Sequence, residues 1–151
     1  MNRYHRIVTP RDPDSAATAE RGDLAADPQR LLATLVSTIS ADQGADLLAN
    51  REDAAAWLRT AGLLPPDAGL SGSEHGALLR LRESLRDVMA ARAASRLDAD
   101  AAIRLTRALA DGRLVVTVDP FGASGLASSA RASYSSLVAA LAIAVAQAFR
   151  S

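Results

Sequence analysis

Cysteine and lysine are missing from the 151 residues, and aromatic side chains make up only 3% of them. Without cysteine there can be no disulfide, no thiol nucleophile and no cysteine-ligated zinc or iron–sulfur site. The same absence fits a reducing cytoplasm. Without lysine, all 17 basic residues are arginine. A phosphate-cradling loop then lacks the ammonium it needs, and Gly69, Gly72 and Gly76 follow no strand, so they read as a linker. Long apolar runs are lacking too. The longest, Leu137–Ala146, falls short of the roughly 20 residues of a membrane helix, and Met1–Arg6 leads into no secretory core. We therefore expect a cytoplasmic protein with no membrane contact. Neither sign of charge dominates, since 17 acids balance the arginines and the formal net charge is zero. With no basic stretch, direct nucleic-acid binding by this segment is not expected.

What is present is alanine, leucine and helical periodicity. Residues 1–27 are rich in charge and proline and poor in apolar spacing, which predicts a flexible N-terminal arm; Ile7-Val8 could add a short strand, but Thr9–Asp14 breaks it. The ordered domain is expected over 28–151. Asp27-Pro28 reads as a cap and first-turn proline, with Leu31, Leu32, Leu35, Val36 and Ile39 on one face. Ser40–Asp46 reads as a loop. Asn50 caps a second helix with Ala54, Trp57, Leu58 and Ala61 facing inward, and Gly62 with Pro65-Pro66 ends it. Ser71 or Ser73 caps a long third helix reaching about Ala94, with Leu78, Leu81, Leu85, Val88 and Met89 in its stripe. Asp98 caps a fourth carrying Ile103, Leu105 and Leu109, closed by Gly112. Leu114–Val118 is β-branched and short, and Asp119-Pro120-Phe121-Gly122 suits a turn returning through Ala123–Arg131. The last helix, Ser133–Phe149, has almost no polar face, so it is either central or packed against a second copy. The expected class is mainly α, about five helices with one β-hairpin inserted before the last.

Few residues suggest chemistry. His5 lies in the arm and His75 in the first turn of the third helix; both read as surface histidines without the company a metal or a serine nucleophile needs. Glu52/Asp53 and Asp98/Asp100 sit at helix starts, where the helix dipole accounts for them. Trp57 reads as a core anchor. Arg82 is the most informative residue, because it directly follows the core position Leu81. There it either finds acceptors, as an anion-binding group at the mouth of a helical pocket, or turns outward with Glu83 and Arg86 as a solvated charge face.

Leu31–Ile39, Asp46–Asn50 leading to Trp57-Leu58, Ala61–Leu64 and Leu81–Arg86 follow one another in an order that resembles a known domain. It is the N-terminal domain, called ABATE, of bacterial CGNR zinc-finger proteins. The resemblance covers roughly residues 28–149 and is carried by the blocks W-L-x-x-x-G-L and L-R-E-x-L-R. It implies a sensing or regulatory module of a stress-induced transcription regulator, with DNA contact supplied by a cysteine-rich zinc finger that this chain lacks. The family's Asp-Phe-x-Asn-Thr motif is matched here by Thr34-Leu35-Val36-Ser37-Thr38, and its Leu-Asn pair by Leu105-Thr106. The resemblance thus implies a polar cluster in which Arg82 anchors a small-molecule or anionic ligand, with Ser37, Thr38 and Thr106 as neighbours. No catalytic residue, cofactor or metal is expected. The alternative is a protein-interaction module that homodimerises through the last helix or the edge of Leu114–Val118 and takes no small-molecule ligand.

Overall fold

The computed structural model describes residues 27–40, 44–129 and 133–150. The expected arm lies outside these residues except for Asp27. That residue caps α1 (Pro28–Val36): its carboxylate accepts from the Arg30 amide at 3.1 Å, and Pro28 occupies a first-turn position that needs no N–H partner. Leu31, Leu32 and Leu35 are buried. The helix stops before Ile39. Ser37 and Thr38 turn their hydroxyls back onto the carbonyls of Ala33 and Leu35, a local alternative to continuing the helix. Ile39–Ser40 (β1) and Ala45–Asp46 (β2) then pair as a short antiparallel ladder where a plain loop was expected.

α2 (Arg51–Thr60) opens on Asn50, whose side chain both accepts from the Asp53 amide and donates to the Asp53 carboxylate. It closes on Gly62 at φ +78°, with the amides of Gly62 and Leu63 reaching the carbonyls of Arg59 and Leu58. α3 (Gly72–Ala93) starts with a reciprocal box in which Ser71 and Glu74 satisfy each other's amides. It ends with the same closing pattern as α2, except that Ser95 holds the left-handed position at φ +53°. A serine there carries a Cβ penalty that glycine avoids. Ser95→Gly is expected to raise stability by about 0.5–1 kcal/mol, read as a shift in the urea midpoint at unchanged slope.

α4 (Ala99–Leu109) is capped by Asp98 and buries Ala101 and Leu105. Ile103, expected inside, is 48% exposed. It lies two residues from each of those core positions, and at 100° per residue that puts it on the opposite side. β3 (Leu114–Val118) and β4 (Ser124–Ser128) form the expected hairpin in the register Leu114↔Ser128 to Val118↔Ser124. The turn is tied by Asp119, whose Oδ1 accepts from the amides of Phe121 and Ala123. The expected end of the returning segment, at Arg131, lies outside the described residues.

α5 (Ser133–Ala148) packs along α1, touches α4 and supports β4, while α3 and α4 pack along each other. Its apolar circumference is therefore used within the fold: Leu137, Val138, Leu141 and Ala144 join the leucines of α1, α2 and α3 in one core. Trp57 is half-buried against this core. Close approach replaces bulk where the connection from α4 crosses α5, because a Cβ at Gly112 would come within 2.6 Å of the Ala139 amide nitrogen.

Candidate functional site

Arg82 sits on the inward face of α3, one residue past Leu81, with its side chain 5% exposed. It finds its acceptors within the chain. Nη1 donates to Asp46 Oδ1 at 2.6 Å and to Thr38 Oγ1 at 3.0 Å, and Nη2 donates to Asp46 Oδ2 at 2.8 Å. This is a bidentate pair, the geometry for which guanidinium is suited and ammonium is not. Asp46 also accepts from the Leu48 amide. The Arg82 hydrogen bond, helped by that amide, holds the Asp46 carboxyl below the ordinary 3.8, against the opposing effect of its partial burial.

The cluster ties three parts of the chain together. Thr38 links it to α1 by donating to Leu35, and Leu47 donates its amide to the Thr38 carbonyl. His75, expected at the surface, is half-buried instead. Its Nε2 lies 2.8 Å from the Leu48 carbonyl, which can only accept, so this nitrogen carries the proton. Of the four residues expected to surround a ligand, Arg82 and Thr38 come together. Ser37 and Thr106 are exposed and return their hydroxyls to their own helices, onto Ala33 and Ala102. Arg82 Nε is buried without a partner among the described residues. The residue that sequence reasoning missed is Asp46. It stands at the end of the expected loop, and its one signal is being the acid of the Asp46–Asn50 block.

A second feature lies between α3 and α4, a groove of about 440 Å³. Ala77, Ser84 and Ala108 form its mainly apolar floor, and Arg80, Arg104 and Arg107 outnumber Glu83 and Asp111 along its walls. Arg104 is engaged by Asp87 at 3.2 Å, whereas Arg107 has no ion-pair partner among the described residues. Tyr134 of α5 is buried, and its hydroxyl has no hydrogen-bond partner among them. Burial, reinforced by the charges of Asp111 and Glu74 and opposed by Arg80, pushes this phenol up to about 12. Two of those charged groups, Asp111 and Arg80, are also walls of the groove.

Among the described residues, no three histidine, aspartate or glutamate side chains gather to hold a metal, and no helix is long and apolar enough to cross a membrane. Among the described residues, fold and site together define a domain of five helices with a β-hairpin before the last, fastened by an arginine–aspartate clasp. Residues 29–151 match the ABATE family model, described as a "putative stress-induced transcription regulator", and the chain belongs to that family. No curated protein and no solved structure matches it.

Proposed function

We propose that the chain is the non-enzymatic sensing module of a cytoplasmic transcription regulator, and that it takes a small amphipathic anion in the groove between α3 and α4. The observation that carries this reading is the groove itself, which is of ligand size, mainly apolar and walled by three arginines, of which Arg107 has no ion-pair partner among the described residues. The apolar floor suits a short hydrocarbon chain, and Arg107 offers its charge to a bound carboxylate. A ligand at Arg82 would first have to displace Asp46.

Octanoate, titrated by calorimetry, is the probe. Binding is expected to weaken roughly tenfold on Arg107→Ala, in line with the loss of one charge-assisted hydrogen bond. Octanol, which lacks the charge, should bind worse. Failure of octanoate to bind would rule the groove out; affinity that survives Arg107→Ala but falls on Arg82→Met would return the site to the clasp.

Tyr134→Phe is the control, since Tyr134 is buried in α5 and does not line the groove. Removing a buried hydroxyl that has no partner among the described residues should leave stability unchanged or raise it by up to about 1 kcal/mol, while octanoate affinity stays as it was. The alkaline limb supplies a second reading. The native phenol titrates near 12, whereas an unfolded tyrosine titrates near 10. Its contribution is therefore fully present below the unfolded value and is lost as pH rises through the native one. Thermal unfolding between those pH values should be less steeply pH-dependent in the phenylalanine variant.

A further inference from the structure

We infer that two copies of this chain associate through β3, in an antiparallel two-fold pairing centred on Val116. Among the described residues the β3–β4 sheet has two strands, and Val116 and Val118 are 68% and 67% exposed. A two-stranded hairpin is marginal in water, and three or more strands with an apolar face are the usual threshold for stability. Among the described residues β3 is also a sheet edge, and it carries no lysine, proline or inward charge of the kind that normally blocks edge pairing.

Three features of this edge fit a second copy. First, the backbone groups are in phase. The bonds Ser129 N–H to Arg113 carbonyl and Asp119 N–H to Ala123 carbonyl show that the odd-numbered residues point their groups at β4. Leu114, Val116 and Val118 therefore direct theirs outward. Pairing about Val116 sets Leu114 against the partner's Val118 and Val116 against its own copy, so every outward group meets an outward group. Second, the flanking charges are complementary in that register alone: Arg113 falls opposite Asp119 of the other copy, at both ends of the pairing. Asp119 uses Oδ1 to hold its own turn, and Oδ2 has no partner among the described residues. Third, the product is one four-stranded sheet in which Leu114, Val116, Val118 and Leu126 of each copy share a face. The contact is isologous and closes on itself. The last helix, the other candidate for such a contact, is already central to the fold.

Sedimentation equilibrium on the full chain, from low to high micromolar, is expected to show a dimer. Val116→Lys places like charges opposite each other and should raise the dissociation constant by roughly tenfold or more. Arg113→Glu should act in the same direction. Because the chain has no cysteine, V116C introduces its only thiol, and mild oxidation should cross-link the dimer through it. V115C, which the register sets against Thr117 of the partner, should cross-link poorly. Circular dichroism checks that each variant is folded. A monomer at every concentration would overturn the inference. So would a dimer that V116K leaves intact, or one in which V115C cross-links better than V116C.

Discussion

Gly112→Ala is expected to lower stability by about 2 kcal/mol. The position is not left-handed, so the cost is steric rather than conformational. A Cβ there would lie 2.6 Å from the Ala139 amide nitrogen, 2.8 Å from its Cα and 2.9 Å from the Val138 carbonyl carbon. All three are backbone atoms of a buried helix, so no side chain can swing aside. Overpacking of this kind costs up to about 3 kcal/mol, and the smaller entropy of the unfolded alanine chain returns less than about 1. The clash wins. For a domain of this size the loss corresponds to roughly 4–8 °C in Tm. Gly72→Ala is the control, since nothing lies within 4 Å of the place its Cβ would take, and it should be close to neutral. Equal melting temperatures for the two variants would show that α5 can move away from the connection.

The second large effect is an asymmetry across the clasp. Asp46→Ala should cost more than Arg82→Met. Removing the carboxylate leaves a guanidinium that is 5% exposed without its counter-charge, whereas removing the guanidinium leaves an Asp46 side chain that is 28% exposed and can take up water. Breaking a buried pair from one side costs about 3–5 kcal/mol, and the partial exposure of Asp46 brings the expected figure to about 2–3. An apolar side chain of similar length in place of Arg82 keeps the packing and needs no acceptor, so that loss should stay near 1 kcal/mol. Chemical denaturation of the two variants measures the difference, and equal losses would sink the asymmetry. Acid provides an independent check. The native Asp46 carboxyl lies below its ordinary 3.8, so its contribution is present above that value and is lost as pH falls through the native one. The acid limb should be shallower in Asp46→Ala.

Much of the fold could be read from local chemistry. Asp27, Asn50 and Asp98 cap the helices they were expected to cap, and of the two serines offered for α3 it is Ser71 that caps, because a cap needs only one side chain and the amides three residues on. The strand Leu114–Val118 and its turn were legible for the same reason. What depended on distant partners was less visible. Ile103 looked apolar enough for the core, but the face of α4 is chosen by α3 and α5. His75 meets a carbonyl 27 positions away, and Arg82 meets Asp46 across 36. Arg82 was recognisable as a residue in need of acceptors, whereas the identity of its acceptor required the ladder that carries Asp46 inward.

The central helix is also the last of the described elements to leave the ribosome. Until α5 emerges, the leucine faces of α1 and α3 have no middle to close upon. Nascent chains of this protein should therefore stay protease-sensitive and chaperone-dependent until synthesis has passed α5, then acquire protection in a single late step.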